Sequence, residues 1–256
     1  MDKIRYVIVG SGWRSEFYAR IAKALPDKFE AAAMLCRTEA KAKQMEEKLG
    51  VYTTTSEAEC RSLKPDFIVV AVDKPSVFKV SRNWLDKGWP VLCETPAGLK
   101  MEDLEDAWRF HCYGTRFQVA EQYHCYPRYE KIIEVVKSGV LGDPQAVDLS
   151  AAHDYHAVSL IRRILGVGFE NAFFTGKRFT FPVLETAGRD GIIENGQIKD
   201  SYRIRMDMEF DSGKMGFYDF DKIQYHSRIR GIEIRIQGDR GELSGNHLTY
   251  VDSDGI

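Results

Sequence analysis

The sequence is short of several features, and each shortage narrows the function. A long apolar opening is missing: Met1 to Arg5 carries charges, and the apolar run that follows, Tyr6 to Val9, is too brief for a signal-peptide core or a membrane span. A cytoplasmic protein that does not bind membranes is therefore expected. Neither charge is in excess. Lys plus Arg number 36 against 38 for Asp plus Glu, a formal charge of -2, which gives no electrostatic reason to expect nucleic acid as a partner and favours a small-molecule substrate. Paired cysteines are lacking too: Cys36, Cys60, Cys93, Cys112 and Cys125 are an odd five with no zinc-ribbon or redox spacing, and are read as free buried thiols. There is no internal repeat, low-complexity tract or long linker. What is present, 44% hydrophobic residues in a chain of 256, is enough to supply cores for two domains.

The first 120 or so residues alternate short apolar runs with helical patterns. Ile4 to Val9, Ala31 to Cys36, Phe67 to Val72, Val91 to Cys93 and Phe117 to Ala120 read as strands buried on both faces, which require helices above and below. Glu39 to Leu49, stopping at Gly50, and Ser76 to Lys87, stopping at Gly88, supply two of them. A βαβ series of this kind makes a parallel sheet. Near Gln122 the texture changes. Pro127 opens a helix with Ile132, Ile133 and Val136 on one face that ends at Gly139, and beyond it Ala146 to Ala151, Tyr202 to Phe210, Lys214 to Phe220 and Ile232 to Gln237 alternate apolar with polar residues. Asp211-Ser212-Gly213 suits a hairpin turn between two of these strands. The expected fold class is thus α/β: a parallel dinucleotide-binding sheet over residues 1–121, then an α+β substrate-binding and oligomerisation domain over 122–256 with an open, mostly antiparallel sheet. The chain stops just after a strand-like His247 to Val251 and a turn-like Asp252 to Gly255, so the second domain is expected to be truncated at its C-terminus.

The first strand leads directly into Gly10-Ser11-Gly12-Trp13-Arg14-Ser15 and then the helical pattern Glu16 to Leu25. In a Rossmann turn the first glycine permits the tight bend, the second lets a pyrophosphate approach the backbone, and a third small residue lets helix and strand pack closely. Gly10, Gly12 and Ser15 stand in those places, and the helix N-terminus favours the negative charge of the pyrophosphate. The end of the second strand reads Cys36-Arg37-Thr38, with no carboxylate there to repel a phosphate. Arg37 and the Thr38 hydroxyl suit the 2′-phosphate of NADP, which is expected in preference to NAD. The candidate cofactor-binding set is Gly10, Ser11, Gly12, Trp13, Arg14, Cys36, Arg37 and Thr38, together with Ala71, Val72, Asp73, Glu94, Pro96 and Gln122.

With that turn placed, two further segments make the chain similar to the glucose-fructose oxidoreductase / inositol dehydrogenase / rhizopine catabolism (Gfo/Idh/MocA) family. Val91-Leu92-Cys93-Glu94-Thr95-Pro96 resembles the family's Glu-Lys-Pro motif, and His156-Ala157-Val158-Ser159-Leu160-Ile161-Arg162-Arg163-Ile164-Leu165-Gly166 resembles the substrate-domain helix that presents a catalytic histidine. Ser138-Gly139-Val140-Leu141-Gly142 and Gly238-Asp239-Arg240-Gly241-Glu242-Leu243 are also similar. The resemblance implies a Rossmann domain plus an open antiparallel sheet that mediates homodimers or tetramers. It also implies that position 95 and His156 lie near the reacting carbon. Thr95 stands where the family has its lysine, and Ala152 where an Asp often precedes the histidine by four residues. A neutral hydroxyl and a methyl group cannot replace that acid–base pair, which counts against polyol dehydrogenation by the usual route. Relatives without the lysine exist; biliverdin reductase carries Tyr there and the NAD-dependent glycosidases Val.

His156 is the leading acid–base candidate, since an imidazole trades protons near neutral pH. Glu121-Gln122-Tyr123-His124 should follow the last parallel strand at the carboxyl edge of the sheet, where ligands bind in doubly wound folds, so Tyr123 and His124 join His156 and Thr95 as catalytic candidates. His153 and His156, three residues apart, share a helix face but find no third ligand, and no metal is expected. The aromatic strand Phe217 to Phe220 and the nearby Tyr225-His226 read as sheet surface, core or oligomer contact. Three functions remain open. One is an oxidoreductase passing hydride to or from a small carbonyl, hydroxyl or conjugated substrate. Another is an enzyme that retains its dinucleotide for redox-assisted glycoside cleavage or elimination, and the last is a dinucleotide-binding sensor or scaffold that lost catalysis.

Overall fold

The alternation of short apolar runs with capped helices produces a layered α/β unit, and the computed structural model describes residues 3–252 and 255. The chain divides into two units, Met1–Glu121 and Gln122–Ile256. In the first, strands β1 (Ile4–Val9), β2 (Phe29–Leu35), β3 (Thr53–Thr54), β4 (Phe67–Val70), β5 (Val91–Cys93) and β6 (Phe117–Val119) form one sheet in the order β3-β2-β1-β4-β5-β6. All its pairings are parallel. The order reverses direction beside β1, the point at which doubly wound sheets open a crevice at their carboxyl ends. Successive side chains of β1 and β4 point to opposite faces: Ile8 and Val69 pack with Tyr18, Ala19 and Met45 on one side, Val7 and Val70 with Val77, Trp84 and Leu85 on the other. Burial on both faces holds for these central strands and relaxes at β6, whose outer edge pairs with no strand among the described residues and whose Gln118 is exposed.

The helices are α1 (Trp13–Ala24), α2 (Glu39–Leu49), α3 (Glu57–Ser62), α4 (Lys74–Leu85) and α5 (Met101–Cys112). Helix α2 has the expected limits because both ends are chemically marked: Thr38 Oγ1 accepts from the Lys41 amide, and Gly50 takes a left-handed φ of 64°. Helix α1 starts three residues earlier than the pattern at Glu16 predicts, since Gly12 serves as its N-cap and Trp13, Arg14 and Ser15 form its first turn. The expectation that all five cysteines are buried is corrected: Cys36, Cys60 and Cys93 are, whereas Cys112 at the end of α5 and Cys125 are exposed.

The second unit contains α6 (Pro127–Lys137), β7 (Pro144–Ser150), α7 (Asp154–Leu165), β8 (Ala172–Leu184), a small hairpin of β9 (Ala187–Gly188) and β10 (Gly191–Ile192), β11 (Ile198–Phe210), β12 (Met215–Asp221), β13 (Glu233–Gly238), β14 (Gly241–Ser244) and β15 (His247–Tyr250). Its main sheet runs β15-β14-β13-β7-β12-β11-β8. Only β7 and β12 pair in parallel; the other neighbours are antiparallel. Leu160, Ile161, Ile164 and Leu165 of α7 recur at helical spacing and form one core with Val147, Leu149, Met208, Tyr218, Ile234 and Ile236 of the sheet. The turn expected at Asp211 to Gly213 closes β11 onto β12, with Gly213 at φ 80° and its amide 2.7 Å from the Phe210 carbonyl. Of the turn-like Asp252 to Gly255, Ser253 and Asp254 lie outside the described residues, as do Met1, Asp2 and Ile256. Among the described residues no helix is long and apolar enough to cross a membrane.

Candidate functional site

In the first unit the turn after β1 is built as its glycines require. Gly10 has φ 121°, and a Cβ there would fall 2.3 Å from the Ala71 carbonyl oxygen and 2.9 Å from Ser15 Oγ. Ser15 is fully buried and its hydroxyl donates to that same carbonyl at 2.9 Å, tying the first turn of α1 to the end of β4. Gly12 differs: a Cβ there would meet no described atom within 4 Å, so the fold itself does not demand glycine, and its place at the start of α1 suits close approach by a ligand's pyrophosphate to the backbone.

Arg14 and Glu94, both read from sequence as cofactor contacts, engage each other. The Arg14 Nε and Nη2 donate to Glu94 Oε1 at 2.9 and 2.6 Å, and Tyr18 Oη donates to the same oxygen at 2.7 Å. Glu94 is buried, and Arg14 lies over the Phe17 ring at 4.8 Å. Burial first, and the Glu94 charge second, push the Tyr18 phenol far above its ordinary pKa, so it remains a donor. The cluster braces the glycine turn against the segment after β5, where the Thr95 amide donates to Glu94 Oε2 at 3.2 Å and Pro96 follows.

At the end of β2, Cys36 is buried, Thr38 caps α2, and Arg37 is 85% exposed. Here the sequence reading needs a correction: a carboxylate does lie beside Arg37. Asp73 Oδ1 is 3.6 Å from its guanidinium, because β2 and β4 flank β1 and their ends come close although they are far apart in sequence. Ala71 is buried, Val72 half-buried and Trp13 exposed, and Ser11 lies in the turn.

In the second unit the structure gathers an aromatic cluster at the N-terminus of α7. His156 is buried, with its ring centroid 4.5 Å from those of Tyr123 and Tyr155 and 4.9 Å from that of His153. His153 is not on the helix face that its spacing suggests; it is the N-cap, in extended conformation, and Asp154 after it takes a left-handed φ of 43°. Helix α7 has no side-chain cap from His153. Its first amides go instead to two phenols: the His153 amide donates to Tyr225 Oη at 2.9 Å and the Asp154 amide to Tyr218 Oη at 3.0 Å. Tyr123 Oη donates to Tyr225 Oη at 2.6 Å. His124 sits half-buried in the same short turn as Tyr123, and Gln122 before it has Nε2 3.5 Å from Tyr126 Oη. Ala152 is buried and brings no acid group.

Tyr225, read from the sequence as sheet surface, core or oligomer contact, packs against Phe220 of the core with ring centroids 5.0 Å apart. It lies not on the sheet surface but on a short 3-10 turn, Gln224–His226, pinned by the buried Gln224, whose Nε2 donates to the Ser150 carbonyl at 2.7 Å and the Gly231 carbonyl at 2.6 Å. Nothing local in Gln224-Tyr225-His226 signals this. Among the described residues no group of three or more His, Cys, Asp or Glu side chains is placed to hold a metal ion.

Comparison with known proteins fits this geometry. Residues 4–112, within the first unit, match the Gfo/Idh/MocA model, described as an oxidoreductase family with an NAD-binding Rossmann fold. Solved structures similar in fold include GenD2 from gentamicin A biosynthesis in complex with NAD (TM-score 0.72, 18% identity, 96% of this chain and 72% of that one). Another is the WlbA dehydrogenase of Bordetella pertussis in complex with NADH and UDP-GlcNAcA (0.70, 16%, 99% and 85%). A third is scyllo-inositol dehydrogenase from Lactobacillus casei (0.69, 15%, 99% and 80%). At these identities the likeness is one of fold. No curated protein matches the chain in sequence.

Proposed function

We propose that the protein is a nicotinamide-dependent oxidoreductase acting on a small carbonyl, hydroxyl or conjugated substrate. The observation that carries this is the turn from Gly10 to Ser15, with one glycine demanded by its own backbone and the other left open at a helix N-terminus. When bound, the dinucleotide supplies or accepts hydride. Gly10, Ser11, Gly12 and the first amides of α1 hold its pyrophosphate, and Ala71, Val72, Asp73, Cys36, Arg37 and Thr38, at the carboxyl ends of neighbouring strands, contact its adenosine half and the linking ribose. Arg14 and Glu94 act indirectly by bracing the turn. NAD(H) is the dinucleotide of this reading, and NADP(H) is admitted to the degree that Arg37 leaves Asp73 for a 2′-phosphate. Tyr123, His124 and His156 are the acid–base candidates of this reading.

The exposed phenylalanines Phe173, Phe174 and Phe179 on the edge strand β8 support assembly of the chain with copies of itself through the seven-stranded sheet. A second reading, a dinucleotide-binding sensor without turnover, rests on Thr95 and Ala152. Fluorescence transfer from the four tryptophans to NADH and to NADPH tests the dinucleotide site, and turnover with aldehydes and ketones separates enzyme from sensor. Micromolar binding with turnover upholds the oxidoreductase; binding without turnover favours the sensor; no binding by folded, cofactor-free protein refutes both.

A further inference from the structure

We propose that Arg14 anchors a carboxylate of the substrate, which makes the substrate an acid whose carboxylate is carried by a planar, apolar body. The inference rests on the oxidoreductase reading above and draws on residues of the first unit alone. A guanidinium arranges its N–H groups as two forks, each matching the two oxygens of a carboxylate. Glu94 takes one of them: the Nε and Nη2 hydrogens go to its Oε1 at 2.9 and 2.6 Å. The second fork, Nη1 with the other Nη2 hydrogen, has no acceptor among the described residues, and the side chain keeps 28% of its surface exposed.

That fork is held in place before a ligand arrives. Buried Glu94 also accepts from Tyr18 Oη at 2.7 Å and from the Thr95 amide at 3.2 Å. These two donors share the Glu94 charge, so the guanidinium stays cationic toward its open side. Its carbon lies 4.8 Å from the centre of the Phe17 ring and 5.5 Å from that of Trp13. Trp13 and Phe17, four residues apart and so on one face of α1, are 53% and 43% exposed. Apolar rings flanking one fixed charged group are the composition of a small-molecule site. A fork already locked by Glu94 also spares the ligand the rotamer entropy that a loose arginine would lose.

The dinucleotide has anionic groups of its own, and position separates them from the substrate. A dinucleotide lies across the point where the strand order reverses, with one nucleotide on each half of the sheet. Arg37 and Thr38, assigned to the adenosine half, follow β2 on one side of β1. Arg14 turns the other way, to Glu94 after β5, on the half left to the nicotinamide and to the carbon that exchanges hydride with it. The pyrophosphate between the two halves is met by the amides at the start of α1. The anion within reach of the second fork is therefore the substrate's.

Benzoate, benzamide and phenyl phosphate are the probes, titrated by calorimetry into the full chain saturated with NADH. Benzoate should bind at least tenfold more tightly than benzamide, as one forked bond between charged groups requires, and should leave the NADH Kd unchanged. Arg14→Lys keeps a cation beside Glu94 but has no fork, and should cut that preference to less than about threefold. Arg14→Met/Glu94→Gln removes both charges together and should abolish it. Benzoate binding no tighter than benzamide, phenyl phosphate binding tighter than benzoate, benzoate displacing NADH, or a preference that survives in either variant overturns the proposal. The wild-type titrations decide it even where a variant does not fold. Failure of the wild type to bind NADH, read by tryptophan-to-nicotinamide transfer with no probe present, overturns the oxidoreductase reading and this proposal with it; NADH binding without the benzoate preference overturns this proposal alone.

Discussion

The same substitution at two glycines two residues apart should fail in opposite ways. At Gly10 an alanine Cβ meets the Ala71 carbonyl oxygen at 2.3 Å, and the residue is held at φ 121°. The positive φ costs an L-residue about 1–2 kcal/mol. Relieving the clash moves buried backbone that Ser15 also uses, for roughly another 1–3 kcal/mol, an overpacking cost. Gly10→Ala should therefore lose about 2–5 kcal/mol, a large share of the 5–15 kcal/mol typical of a domain. At Gly12 the Cβ meets nothing among the described residues, and the loss is that of a poorer N-cap, about 0.5–1.5 kcal/mol. NADH affinity should nevertheless drop tenfold or more, about 1.4 kcal/mol, because the methyl occupies the approach of the pyrophosphate. Urea unfolding with an unchanged slope gives the first quantity and tryptophan-to-nicotinamide transfer the second. Wild-type NADH affinity in Gly12→Ala, or wild-type stability in Gly10→Ala, would refute the assignment of the turn.

Other outcomes follow from the same geometry. Asp73→Asn frees Arg37 and removes a carboxylate from beside a 2′-phosphate; the preference for NADPH over NADH should rise about three- to fivefold, the modest gain expected of exposed charges, in paired titrations. Arg14→Met leaves the buried Glu94 with Tyr18 as its main side-chain donor and should cost about 1–3 kcal/mol in urea unfolding, with part of the penalty relieved in Arg14→Met/Glu94→Gln. Of the five thiols, Cys112 and Cys125 should react fast with Ellman's reagent, and Cys36, Cys60 and Cys93 only on unfolding. Burial raises Cys60 and Cys93 from 9.0 to about 11, so the folded state holds those protons longer than the unfolded chain does. Their contribution is full below pH 9 and is lost as pH climbs from about 9 to about 11, which a series of unfolding curves at rising pH should show.

Legibility in the sequence followed the range of the signal. The limits of α2 are visible because Thr38 and Gly50 mark them locally, and the hairpin at Asp211 to Gly213 is visible for the same reason. Strand β8 is not, since Gly176 and Pro182 argue against a strand; a proline is tolerated there because β8 is an edge. Strand β3 has only two residues, too few for periodicity to register. At the site, Gly10, Gly12 and Ser15 stand out as a contiguous motif with a known backbone demand. The partners that decide chemistry are set by topology instead: Glu94 reaches Arg14 from 80 residues away, Asp73 meets Arg37 through the order of strands, and Tyr225 meets Tyr123 from 102 residues away.

The central position of β7 in its sheet also sets an order of events during folding. Its two neighbours are β12 and β13, made from residues 215–221 and 233–238, whereas every strand of the first unit finds its partners by Val119. On a ribosome the first sheet can close before β12 and β13 have emerged. In the second, α7 follows β7 at once and can cover Val147 and Leu149, but both hydrogen-bonding edges of β7 stay unpaired until some 65 to 90 further residues have emerged, an interval in which chaperone binding or misassembly competes with folding.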